Sequence, residues 1–243
     1  MAEPWKDLFL KSEIIDLTHI LEENMSTPSD VNPFQHNIWA SYHREGPCLS
    51  YQCIMNEHAG THVDAPAHFM NEESGNHITI EKMPLNQFCF PCAVIPIPGA
   101  TVDTQIRREE IEVWEGKYGE IAAGEGVFFH TGWDRFWSNQ PEDQTFTSGW
   151  PGLSEEAVRY LLDKQIAAVG TDCLSIDCSA SQTLPAHHLF LGSRIPVFEN
   201  LNHLSKISGR CYVISLPLPL KGGSASPVRV VGLRVKEAEV NRF

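Results

Sequence analysis

The sequence predicts a strand-rich α/β protein folded as a single domain over residues 1–243, and three features carry that expectation. Residues 127–131, a helical repeat after Leu153, and residues 167–171 follow one another as a β-α-β passage. Residues 88–97 form a nearly continuous apolar run of β-forming side chains, as expected of a strand buried on both faces. No Gly/Ser linker, internal repeat or low-complexity tract divides the 243 residues. A chain of that length buries roughly 70% of its unfolded surface, so it needs neither disulfides nor metal merely to fold.

In chain order, residues 12–17 predict a short strand and residues 24–34 a polar, proline-bearing loop. Residues 49–57 have strand character with imperfect alternation. Thr104 is expected to cap a helix whose early acids, Glu109 and Glu110, suit its N-terminal half and which fades by Gly116 or Gly119. The signal after Leu153 is stronger. Ser154 is a good N-cap, Glu155 and Glu156 complement the helix dipole, and Leu153 with Val158 fits a hydrophobic staple. Val158, Leu161, Leu162 and Gln165 then recur at helical spacing. Further strands are predicted at residues 211–216 and 228–235.

Composition excludes several classes of function. Acidic residues number 31 against 18 basic ones, for a net charge of −13. Nucleic-acid readers carry a basic face because phosphate contacts supply most of their affinity, and none is visible here. The greasiest stretches, 88–98 and 211–220, fall short of the ~20 apolar residues a membrane span requires. Residues 1–7 lack the basic and apolar regions of a secretory signal. Seven cysteines is an odd count, which argues for reduced thiols and a cytoplasmic protein. Cys89 and Cys92 form a lone C-x-x-C in apolar surroundings and are expected, like Cys173 and Cys178, to be small buried hydrophobes.

The chemistry concentrates in His58-Ala59-Gly60-Thr61-His62-Val63-Asp64-Ala65-Pro66-Ala67-His68. Imidazoles and a carboxylate at such spacing suit zinc, manganese or iron, which accept mixed N and O ligands. A regular helix is excluded by Gly60 and Pro66, and four fully extended residues span roughly 13 Å. A turn at Ala59-Gly60-Thr61 is therefore expected to fold His58 back toward His62, with Gly60 in an unusual backbone conformation. Pro66 suits the first turn of a new helix, which places His68 beside the metal without obliging it to bind. A second group, His187-His188 followed by Glu199, adds candidate ligands from another part of the chain. His19, His36, His43, His77 and His203 have no such company and read as ordinary polar residues.

The motif His58-x-Gly60-Thr61-His62-x-Asp64-Ala65-Pro66-x-His68 resembles the signature of the metal-dependent cyclase family, which includes bacterial kynurenine formamidases and isatin hydrolases. The resemblance continues through Ile14-x-Asp16-Leu17-Thr18, His130-Thr131-Gly132-Trp133, Gly170-Thr171-Asp172, Leu184-Pro185-Ala186-His187, Phe198-Glu199-Asn200-Leu201 and Gly222-Gly223. It implies a swivelling β/β/α fold and hydrolysis of a C–N bond in a small aryl amide or cyclic amide. It further implies that His58 and His62 bind one metal, that Asp64 and Glu199 bridge, that His187 binds a second metal, and that His68 is the proton donor and acceptor. His187 is preferred to His188 because it preserves the family's twelve-residue step to the glutamate. The cofactor implied is zinc or manganese, one or two ions per subunit, in a homo-oligomer (dimer or tetramer). Formamidases carry a Trp-Pro-Gly-type segment near the N-terminus, and the corresponding residues 26–34 contain no tryptophan. That departure points away from N-formylkynurenine and toward isatin-like substrates.

The residues by themselves leave other readings open. His62, Asp64 and His187 also satisfy the two-histidine, one-carboxylate set of a non-haem iron oxygenase, although His58 and Glu199 are then surplus. A metal-binding module without turnover is the third. For the hydrolase, Trp39, Trp133 and Phe34 are candidates to line the pocket of an amide, imide or lactam.

Overall fold

A computed structural model describes residues 10–28, 34–43 and 46–235. The N-terminal stretch 1–7 and residues 29–33 of the expected loop lie outside the described residues. The strands are β1 (Ser12–Asp16), β2 (Gln35–Ala40), β3 (Ser50–Ile54), β4 (His62–Asp64), β5 (Cys89–Pro96), β6 (Gln105–Ile106) and β7 (Gly126–His130). They continue with β8 (Gly152–Leu153), β9 (Ala168–Thr171), β10 (Val197–Glu199), β11 (Gly209–Ile214), β12 (Ala225–Pro227) and β13 (Val231–Val235). Three α-helices, α1 (Arg108–Tyr118), α2 (Glu155–Asp163) and α3 (Pro185–Gly192), and six short 3₁₀ turns complete the regular structure described.

Nine strands form one sheet in the order β1-β13-β11-β5-β7-β9-β10-β4-β12. Its centre, β5-β7-β9-β10, is parallel, and its flanks are antiparallel. The apolar run at residues 88–97 becomes β5, and alternation sorts its side chains onto two faces. Ala93 and Ile95, with Val127, Phe129, Val169 and Val197, pack under the three helices. Cys92 and Val94, with Phe128, Ala168 and Phe198, face a second core that also takes in Ile15, Val63, Val213 and Val230. Strands from both flanks meet in that second core, so the sheet curls around it. A bridge between Thr18 and Leu201 ties the end of β1 to the chain just beyond β10, across the curl.

The helix after Leu153 forms as expected, with Ser154 Oγ accepting from the Ala157 amide at 3.2 Å. The Thr104 cap does not. Gln105–Ile106 is extended and pairs in parallel with Gly152–Leu153, so α1 starts only at Arg108, and Thr104 Oγ1 accepts from the Thr101 amide instead. Glu110 reaches back to the Arg107 amide (2.8 Å), and the helix stops before Gly119. Residues 49–57 narrow to β3, which pairs with β2, a strand the sequence did not predict. All seven cysteines are free thiols, Cys92, Cys173 and Cys178 buried and Cys89 half-buried. Among the described residues no helix is long and apolar enough to cross a membrane.

Candidate metal centre

Local sequence and sheet register together build the site. Gly60 turns the chain with φ +62, a left-handed conformation that favours glycine, and a Cβ there would lie 2.5 Å from Leu21 Cδ2, so that leucine would have to move aside. The chain then enters β4, where Val63 enters the second core and alternation turns His62 and Asp64 to the other side of the strand. Antiparallel pairing sets Glu199 of β10 directly opposite His62. Pro66 opens a single 3₁₀ turn that carries His68. From the covering layer, α3 contributes His187.

These residues converge. His58 Nδ1 lies 2.9 Å from Asp64 Oδ1, and His62 Nε2 is 3.4 Å from the same oxygen and 3.5 Å from Glu199 Oε2. His187 Nε2 is 3.2 Å from Glu199 Oε1 and 3.5 Å from Asp64 Oδ2. The rings of His58 and His68 are 4.2 Å apart, centroid to centroid. Two overlapping groups, His58–Asp64–His68 and His62–Asp64–Glu199, each bring one ligand-type atom per residue within 4.8 Å. Asp64 belongs to both. His188 is exposed, its ring edge-on to Phe69, outside this cluster.

Burial and charge are balanced against each other here. Burial pushes the Asp64 carboxyl up, but the imidazoles of His187, His58 and His62 close beside it hold it well below the usual range. Burial opposes ionisation of Glu199 too, yet the charge of His187 beside it, with His62 close by, brings it to about 2. His187 is raised well above an ordinary imidazole despite its burial, chiefly by Glu199 and Asp177.

The surrounding hydrogen bonds aim the imidazoles. Gly60 O lies 2.9 Å from His62 Nδ1, which leaves Nε2 facing the carboxylates. Asp177 does the same for His187, with Oδ2 2.6 Å from Nδ1, and it also accepts from the Ala186 and His187 amides at the start of α3. Such outer partners fix tautomer and ring orientation in metal sites. Asn200 Nδ2 donates to Gly60 O at 2.8 Å, and the Ile176 amide donates to Glu199 Oε1 at 2.8 Å. Glu57 accepts from the Ser224 amide and hydroxyl, and Ser224 Oγ lies 3.4 Å from His58 Nε2. The residues present fit a divalent cation on a direct observation: His62 Nε2 and both Asp64 oxygens are buried without a well-formed hydrogen bond. Buried polar atoms in native proteins are normally paired, so an unmet set pointing to one place marks a site.

Several sequence expectations need correction. Trp39 stands exposed on the β2–β3 hairpin, and Trp133 is buried against Phe146 and Cys173 in a small core of its own. Phe34 packs with Met25 and Ala59, beside the histidine turn. His19 is not an ordinary polar residue. It is buried, stacked on Trp137 at 4.0 Å, and its amide donates to Thr61 Oγ1. The Gly170-Thr171-Asp172 stretch is structural: Asp172 accepts from the Thr131 amide and hydroxyl and from the Gly132 amide, locking the ends of β7 and β9 together.

His19 gives a stability prediction. Burial, with His203 nearby, lowers its pKa to about 3 from 6.5, so the folded state refuses a proton that the unfolded state takes up below pH 6.5. Stability should fall as the pH drops through that window, by about 1.4 kcal/mol per pH unit for this one group. Urea unfolding of metal-free protein at a series of pH values checks it. The difference between the wild type and His19→Gln should shrink toward acid, and a flat difference would show that His19 protonates in place.

Comparison with known proteins agrees with the geometry. Residues 15–178 match the Cyclase family model, described as putative cyclase. The isatin hydrolase of Roseibium aggregatum is 28% identical over 242 residues, covering 91% of each chain. The kynurenine formamidase of Salinibacter ruber is 32% identical over 177 residues, 73% of this chain and 76% of that one. An isatin hydrolase solved with the product analogue thioisatinate superposes with a TM-score of 0.86 at 26% identity, covering 96% of both chains. Fold and site define a metal-dependent hydrolase, with a divalent metal as its cofactor. The chain belongs to the Cyclase family.

Proposed function

We propose that the chain, as one domain over residues 1–243, hydrolyses a C–N bond of a small aryl amide or cyclic amide, an isatin-like lactam in preference to N-formylkynurenine. The observation that carries this is the convergence of His62, Asp64, His187 and Glu199, with His62 Nε2 and both Asp64 oxygens left without a well-formed hydrogen bond. His58, His62, Asp64, His187 and Glu199 would hold the metal, zinc or manganese, as one ion or two. A divalent ion so held supplies a water whose pKa falls from 15.7 toward about 7 and polarises a carbonyl as a Lewis acid. Asp64 and Glu199 bring two negative charges that offset the cation inside a buried site. Gly60 O and Asp177 hold His62 and His187 in the tautomer that presents Nε2.

His68 is the proton carrier. Its ring lies against His58 yet remains reachable from solvent, whereas His62, Asp64, His187 and Glu199 are buried. An imidazole nitrogen of His68 takes a proton from the attacking water and returns it to the departing nitrogen, work worth typically 10²–10⁴-fold. The oxygenase reading leaves His58 and Glu199 without a part, though both are packed into the cluster. Free thiols throughout support a reducing, cytoplasmic setting, and a homo-oligomer is the expected assembly.

Isatin, related lactams and N-formylkynurenine, each assayed with zinc and with manganese, test the function. Ring opening of the lactams should be faster than deformylation. Failure of every substrate with every metal would overturn the proposal.

A further inference from the structure

His58 is held differently from the other two imidazoles that face Asp64. Its side chain is 23% exposed, against 3% for His62 and 5% for His187, so packing alone does not fix its ring. It is also turned the other way round. His62 and His187 are held at Nδ1 and present Nε2 to the carboxylates. His58 sets Nδ1 2.9 Å from Asp64 Oδ1 and leaves Nε2 facing Ser224 Oγ in a long contact of 3.4 Å.

Behind Ser224 lies Glu57. Its Oε2 accepts from the Ser224 amide at 2.8 Å, the Ser224 hydroxyl at 3.0 Å and the Ala225 amide at 3.3 Å. The carboxylate is thereby seated in the Gly222-Gly223-Ser224 turn, part of a stretch of the family pattern that supplies no metal ligand. A Cβ on Gly223 would stand 3.1 Å from Glu57 Oε1 and 2.9 Å from Ile80 Cγ2, so the turn leaves room for the carboxylate only with glycine there. The turn is itself fastened to the site. Gly223 O accepts from the Ile80 amide and Ser224 O from the Ala65 amide, next to Asp64, each at 2.9 Å. A carboxylate only accepts, so Glu57 dictates the sense of the whole chain of contacts. The Ser224 hydroxyl gives its single proton to Glu57, and only its lone pairs remain for His58. Nε2 is then the protonated nitrogen, and Nδ1 faces Asp64 with a free lone pair, the form in which an imidazole binds a cation.

We propose that Glu57 and Ser224 are positioning residues: seated in the Gly222-Gly223 turn, they hold His58 in the tautomer and orientation that offer Nδ1 to the metal, and so set how tightly the centre binds its cation. This rests on the reading of His58 as a ligand and adds what aims it. Backbone contacts alone leave the ring free to rotate: Asn56 Oδ1 accepts from the His58 amide at 2.8 Å, which fixes the main chain and not the imidazole.

Calorimetric titration of the full chain with manganese provides the test. Ser224→Ala is the cleanest probe, because the two amides that seat Glu57 stay in place. It should weaken manganese binding about 10–100-fold, the usual effect of losing an outer partner, and leave the melting temperature of the metal-free protein as in the wild type. Glu57→Gln should weaken binding by a similar factor, since its amide can donate to the hydroxyl and reverse the chain. The two substitutions together should cost no more than the larger of them alone, because both act through His58. Ser224→Thr, which returns the hydroxyl, should restore binding. Should Glu57→Gln fail to fold, the Ala and Thr variants at Ser224 decide. His58→Ala separates the two levels of the argument. If His58→Ala binds manganese weakly while Ser224→Ala binds it as the wild type does, His58 stands as a ligand and the positioning role is overturned. Additive losses at Glu57 and Ser224, or no rescue by Ser224→Thr, overturn it as well. If His58→Ala binds as tightly as the wild type, the ligand reading fails and takes the positioning role with it.

Discussion

His68→Ala is expected to lose on the order of 10²–10⁴-fold in kcat while binding divalent metal as the wild type does. His68 comes from the 3₁₀ turn after Pro66, not from β4, so its removal leaves the His62–Asp64–Glu199 cluster and its hydrogen bonds in place. Metal titration by calorimetry and hydrolysis rates on the same preparation separate the two effects. The rival outcome has a structural basis, because His68 also lies in a group with His58 and Asp64 whose ligand atoms fall within 4.8 Å. If His68→Ala binds metal far more weakly and recovers full activity at saturating metal, His68 is a ligand and the proton carrier lies elsewhere.

Asp64→Asn is expected to abolish both metal binding and turnover. Its carboxylate is the hub of the site, 2.9 Å from His58, 3.4 Å from His62 and 3.5 Å from His187. Asparagine keeps the shape and removes the charge. In the wild type, metal at 100 times its Kd adds about 2.7 kcal/mol of stability, which for a chain of this size raises Tm by roughly 5–10 °C. That shift should vanish in Asp64→Asn. A retained shift would show that the metal is held without Asp64. Chelation should lower the wild-type Tm without unfolding the protein at room temperature, because the two cores on either side of the sheet stand without the site. Unfolding by chelator alone would make the metal structural.

How far the sequence reached depended on whether the deciding interaction was local. The β5 run was visible because a strand covered on both faces is apolar at nearly every position. The helix after Ser154 was visible because its cap and dipole partners lie within four residues. Thr104 misled for the complementary reason. A residue with the right hydroxyl was bypassed when Gln105–Ile106 found a partner in Gly152–Leu153, some 45 residues on. Trp39 and Trp133 show the same limit, since nothing in an aromatic residue says whether it faces a pocket, a core or solvent.

The site divides along that line. The sequence by itself determined the turn at Gly60, the alternation of His62 and Asp64 and the short helical turn at Pro66, because backbone sterics act over a few residues. It also pointed to His187 and Glu199 through the family pattern. Only the tertiary structure decided that Glu199 stands opposite His62, which is a matter of strand register. Asp177 was not legible at all. It caps α3 from eight residues before Pro185, while the N-cap position itself holds Leu184 with φ +45, so no local capping signal betrays it. Burial of His19, which suppresses its protonation, is likewise a property of the packed molecule. Spacing along the chain dictates which residues can turn toward one another. Which of them are dry, paired and aimed at the same point follows only when the sheet closes and α3 packs across it.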